Sequence, residues 1–168
     1  MRNGEKIPDD FNKAFIVAKD VSQFYQSIDE CTNFLIIFGN KDLMEKHTSF
    51  IKSKEDAEAI KTFETYMNES YIKTGSFYDL YPIFHAAGEL KGAIFLDKLR
   101  PIAYKRYFNI DEGKKPKHRA AEYASKNGMP SIVVSKKGPV KAYLDGEIVM
   151  SYETIDKKPD SRAALKIF

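Results

Sequence analysis

Five consecutive apolar residues, Phe34-Leu35-Ile36-Ile37-Phe38, end at Gly39-Asn40. The run is β-prone, lacks polar alternation and is bounded by a turn signal, so it reads as a buried strand. No apolar run in the chain is longer than its five residues, far below the roughly 20 a membrane-spanning helix needs. A strand of this kind belongs inside a sheet, and the rest of the sequence supplies its neighbours.

Before it, Val21, Phe24, Ile28 and Cys31 recur at helical spacing behind Asp20, a residue type suited to an N-cap. After it, residues 53–69 open with Ser53 and acidic residues, then place Ala57, Ile60, Phe63 and Met67 on one apolar stripe. That stripe reads as the core-facing side of a helix rather than a cofactor box. Ser76 to Gly88 predicts another helix, with Phe77, Leu80, Phe84 and Ala87 on one face and Pro82 implying a kink or a later start. Ala93–Leu96 and Ile102–Phe108 predict strands, and His118–Asn127 a short helix stopped by Gly128. Ser131–Ser135 predicts a further strand. Val140–Leu144 and Glu147–Tyr152 flank Asp145-Gly146, the strongest hairpin signal in the chain. Helices first, then strands interleaved with helices, point to an α/β domain with a mixed central sheet surrounded by helices. No internal repeat is present. Residues 1–19 are set apart as an N-terminal extension, 20–152 as the domain and 153–168 as a charged C-terminal tail.

The length of 168 residues suits one domain, and 43% hydrophobic residues exclude global disorder. Cys31 is the only cysteine, so neither an intrachain disulfide nor a cysteine zinc cluster can form. With no secretory signal at the N-terminus, a soluble, cytoplasmic protein is expected. The net charge of +3 hides an asymmetry: residues 98–141 hold twelve Lys and Arg against three acidic residues, a net +9, which leaves −6 on the remainder. Such a block suits a nucleic acid, the phosphates of a nucleotide, or a solvated face.

Four local features bear on chemistry. Lys117-His118-Arg119 stands at a helix start, where basic residues oppose the helix dipole unless an anion is held there. Gly88-Glu89-Leu90-Lys91-Gly92-Ala93 places glycines between a helix and a strand, which allows close approach of a ligand or of another backbone. Ser135-Lys136-Lys137-Gly138 follows a buried strand, at a place where α/β folds often bind ligands and where polar turns are equally ordinary. His47 and His85 have no obvious partner and read as surface or satisfied core residues. No HExxH, Walker-A or GxSxG pattern and no metal-ligand cluster occurs.

Taken in order, these segments resemble the diadenylate cyclase (DAC) domain family, the N-terminal-type domain of DNA-integrity scanning proteins. Glu89-Leu90-Lys91-Gly92-Ala93-Ile94-Phe95-Leu96-Asp97 resembles the family's strand that begins Asp-Gly-Ala. Lys117-His118-Arg119-Ala120-Ala121-Glu122 resembles its Arg-His-Arg helix start, and Ser131-Ile132-Val133-Val134-Ser135 its next strand. The resemblance covers about residues 20–150. It implies a DAC-like fold and the condensation of two ATP into cyclic di-AMP by two domains meeting face to face, with Mg²⁺ or Mn²⁺. It also implies that Gly92 and Ala93 lie against the nucleotide and that Lys117, His118, Arg119 and Ser135 lie at its phosphates. Tyr107 or Phe108 would approach the adenine, and Lys91, His118 and Arg119 would stand at the catalytic positions.

Three departures bear on activity. Lys91 replaces the family's Asp, and a protonated lysine cannot ligate a divalent cation. Lys117 replaces the first Arg and loses bidentate phosphate geometry. Lys115-Pro116 replaces Gly-Thr and removes a backbone N–H and a hydroxyl. The sequence therefore predicts a divergent diadenylate-cyclase-like domain that binds ATP or a related nucleotide, with cyclase activity weak, altered or lost. Two alternatives stand beside it: an active cyclase using Glu89 or Asp97 as a substitute carboxylate, and a nucleic-acid-binding module using the 98–141 segment.

Overall fold

In the computed structural model the described residues are 7–51, 57–68, 80–111, 113–154 and 163–167. In chain order they form α1 (Asp9–Ser27), β1 (Phe34–Phe38), α2 (Lys41–His47), β2 (Thr48–Phe50), α3 (Ala57–Asn68), α4 (Leu80–Ala87), β3 (Ala93–Asp97) and β4 (Arg100–Phe108). They continue with α5 (Pro116–Lys126), β5 (Ser131–Val134), β6 (Val140–Leu144), β7 (Glu147–Thr154) and β8 (Ala163–Ile167).

The eight strands make one sheet in the order β2-β4-β3-β1-β5-β6-β7-β8. β1 and β3 run parallel, and β1 pairs antiparallel with β5, so the sheet is mixed as expected. The period-2 alternation of β1 explains its unbroken apolar run. Phe34 and Ile36 face a core built with α1, α3 and α4, whereas Leu35 and Ile37 face a second core built with α5. Both faces of the strand are covered, so neither face needs a polar residue.

Several boundaries differ from the sequence reading. α1 begins at Asp9, behind Pro8, eleven residues before the expected cap. Asp20 lies inside the helix, where its carboxylate accepts a hydrogen bond of 2.6 Å from the Tyr81 hydroxyl of α4. Residues 7–19 are therefore part of the domain: Phe11, Ala14, Phe15, Val17 and Ala18 are all buried. The true buried stripe reaches Val21 and Ser22. Phe24 and Ile28, assigned to it from the sequence, remain 50% and 47% exposed.

Asn40 does more than stop β1. It also caps α2, its side chain accepting from the Leu43 N–H at 2.8 Å. β2 was not anticipated, being three residues on the sheet edge. The Ser53 cap and Phe77 lie outside the described residues. α4 places Pro82 in its first turn, where a missing N–H leaves no helical bond unmade. The chain's last described segment, β8, pairs with β7 and extends the sheet.

Candidate functional site

β1 and β3 start at the same sheet edge at which β4 and β5 end. A cleft of about 530 Å³ opens there. Its lining combines Asn33 and Leu35 of the β1 region, the Gly88–Ala93 connection, Tyr107 and Phe108 at the end of β4, and Pro116, Lys117 and Ala120 of α5. Of the residues expected at a site, Lys91, Gly92, Ala93, Phe108 and Lys117 are thus brought together, with Tyr107 beside them.

Each wall has a local cause. Gly92 adopts φ +81°, and a Cβ there would sit 2.9 Å from the Tyr107 ring and 3.0 Å from the Arg106 carbonyl. The glycine is therefore required by the approach of the β4 backbone, the second of the two reasons considered for it. β4 is bulged against β3, and Lys105 nearby has φ +56° and is 2% exposed. Phe108 is anchored between Phe95 and Tyr123, at 6.0 and 5.9 Å between ring centroids. Tyr107, only half-buried, offers the more accessible ring.

α5 begins at Pro116 behind Lys115, which is in the left-handed region at φ 54°. No side chain caps it and its first turn holds no acidic residue. The helix thus presents backbone N–H groups and the positive end of its dipole together with Lys114, Lys115 and Lys117. A sequence stabilising this helix for its own sake would place acids there.

His118 does not line the cleft. Its Nδ1 hydrogen-bonds the Tyr143 hydroxyl at 2.9 Å and its Nε2 the Ser135 hydroxyl at 3.2 Å. Burial, reinforced by Lys141, Lys115 and Lys117, holds its pKa below the ordinary histidine value. The ring is accordingly neutral at pH 7, one nitrogen donating and the other accepting. Burial, with a smaller contribution from Glu122, pushes the Tyr143 phenol up to about 12, so it stays protonated. Ser135 directly follows β5, beside the start of β1, since Phe34 and Val134 are paired. Its turn is held by α1: Ser22 Oγ donates to the Gly138 carbonyl at 2.7 Å and Gln26 Nε2 to the Lys137 carbonyl at 2.9 Å.

Arg119 is placed elsewhere. It is exposed, lies against Gly113, and lines a separate groove with Ile110, Asp111, Glu122, Tyr123 and Lys126. Residues two positions apart on a helix lie about 200° apart around the axis, so Lys117 and Arg119 do not face the same cleft. Other basic residues of the +9 segment also lie away from the cleft. Lys98 and Arg100 sit at the far end of β3, about 15 Å from the cleft. Lys126 pairs with Glu122 at 3.0 Å.

Tyr143 and Asn33 are participants the sequence did not mark. Tyr143 was legible only as a strand residue, because its role depends on β6 passing beneath α5. His47 and His85 have partners, Tyr123 at 2.8 Å and Tyr25 at 3.3 Å, in keeping with a structural role.

A divalent cation, implied by the family resemblance, needs oxygen donors. Glu89 is the one carboxylate among the described residues lining the cleft, and it is joined there by Lys91 and Lys117. The charge of Glu89 also raises the Tyr25 phenol, after burial, so its field is shared with the α1 side. Among the described residues no three His, Cys, Asp or Glu group to hold a metal ion. The cleft residues do not fit such an ion.

No family model matches the chain and no curated protein matches it. Among solved structures it is similar to a double mutant of DacA from Staphylococcus aureus, with 17% identity and a TM-score of 0.43 over 84% of this chain and 87% of that one. It is also similar to a hypothetical membrane spanning protein from Bacillus cereus, with 16% identity and a TM-score of 0.49 over 79% of this chain and 58% of that one. Among the described residues, no helix of this chain is long and apolar enough to cross a membrane.

Proposed function

We propose that the cleft binds ATP or a related nucleotide, in a divergent diadenylate-cyclase-like domain whose cyclase activity is weak, altered or lost. The observation that carries this reading is the convergence of Lys91-Gly92-Ala93, the Tyr107 ring and the uncapped, lysine-rich start of α5 on one cavity. A volume of about 530 Å³ falls within the range of small-ligand sites. The α5 N–H groups and Lys117 suit phosphates, the Tyr107 ring suits stacking on a base, and the Asn33 amide offers both a donor and an acceptor.

The scatter of Lys98, Arg100, Arg119 and Lys126 away from the cleft favours a compact anion over a long polyanion. Glu89 is the carboxylate an active-cyclase alternative would have to use, and the described lining of the cavity gives it no second one.

A thermal-shift screen with ATP, other nucleotides and cyclic dinucleotides tests the reading. A ligand bound to the native state raises the apparent stability by RT ln(1 + [L]/Kd). ATP is expected to raise Tm, and Lys117→Ala to remove most of the rise. No rise with any nucleotide overturns the proposal. Incubation with ATP and Mn²⁺ separates the alternatives, since robust formation of cyclic di-AMP would establish the active cyclase.

A further inference from the structure

We infer that the cleft takes its polyphosphate ligand free of divalent metal, with the Lys91 and Lys117 ammonium groups supplying the two positive charges that a metal ion would bring. This deepens the nucleotide reading above and rests on it.

The charges in and around the cavity carry the inference. Lys91 and Lys117 line it, and Glu89 is the one carboxylate among its described lining residues. Two ammonium groups match the charge of one divalent ion. They also repel such an ion, and a single exposed carboxylate beside them is a poor replacement for its water shell. Lys114 and Lys115, at the uncapped start of α5, add further positive charge and no oxygen ligand from their side chains. A cation on the phosphates would withdraw the negative charge these lysines are placed to meet. Metal-free ATP, carrying about two more negative charges than its magnesium complex, is therefore the better fit.

Calorimetric titration of the full chain with ATP, once in EDTA and once in excess Mg²⁺, tests this directly. Binding in EDTA is expected to be as tight as in Mg²⁺ or up to about tenfold tighter. Lys91→Asp is expected to weaken the EDTA titration by about tenfold or more and to recover affinity when Mg²⁺ is added. If circular dichroism finds Lys91→Asp unfolded, Lys91→Gln carries the test: it should weaken binding in EDTA without any gain from Mg²⁺. Wild-type affinity more than about threefold tighter in Mg²⁺ than in EDTA would overturn the inference and leave the nucleotide site standing. No heat in either medium would overturn the nucleotide reading, and this inference with it.

Discussion

Replacing Gly92 by alanine should cost more than a left-handed backbone position alone can explain. Gly92 has φ +81°, and an added Cβ would meet the Tyr107 ring at 2.9 Å, the Arg106 carbonyl at 3.0 Å and the Lys105 carbonyl carbon at 3.1 Å. Two of these three neighbours are backbone atoms of a strand paired with β3, so they cannot swing away. The left-handed conformation costs an L-residue about 1–2 kcal/mol. Forcing backbone apart at an overpacked contact adds about 1–3 kcal/mol. The stiffer unfolded chain returns about 0.4–1 kcal/mol, for a net loss of about 2–4 kcal/mol. Gly128→Ala is the control: its φ is +82°, yet a Cβ there meets nothing within 4 Å. That variant should lose only about 1 kcal/mol. Urea unfolding of both variants measures the difference. Equal losses would refute the claim that the β4 backbone, rather than φ alone, dictates a glycine at the mouth of the cleft.

Further expectations are as direct. Phe15→Ala should destabilise the fold by about 3–5 kcal/mol in urea unfolding, because the N-terminal half of α1 is core; a loss below 1 kcal/mol would return residues 7–19 to the status of an appendage. Thr32 Oγ1 is buried without a hydrogen-bond partner, so Thr32→Val should leave stability unchanged or raise it by about 1 kcal/mol, and a clear loss would mean the hydroxyl has a partner. His118 is held below its unfolded pKa, so the native state binds fewer protons than the unfolded state. Stability should therefore be fully present above about pH 6.5 and fall as the pH drops below it, by at most about 1.4 kcal/mol per pH unit for this proton. His118→Gln should flatten that fall in a Tm-against-pH series, and an unchanged slope would contradict the assignment. Ser22→Ala should cost about 1–3 kcal/mol by leaving the Gly138 carbonyl short of its donor.

What the sequence disclosed was local. The unbroken run of β1 and the Val/Ile-rich β5 report local burial, Asp145-Gly146 reports a turn, and all three formed where expected. α1 was misplaced because its buried stripe starts at Phe11, and Phe24 imitates a continuation of it while pointing to solvent. β2 escaped notice because three residues carry no period, and its existence depends on pairing with Thr48–Phe50's distant partners Arg106–Phe108. At the site, Lys91-Gly92-Ala93 and Lys117 converged because each sits at the end of a regular element. Arg119 did not, since three neighbouring residues on a helix point in three directions. The Tyr143 bond to His118 could not be read from sequence, because only the β5–β6 pairing carries that strand under α5.

The location of the ligand is tested most directly by titrating ATP into isotopically labelled protein and following backbone amide signals. The largest shifts are expected at Gly92, Ala93, Tyr107, Lys117 and His118, with little change at Asp111, Glu122 and Lys126 across α5. Shifts concentrated in that second groove, or no shifts at all, would contradict a nucleotide site in the cleft.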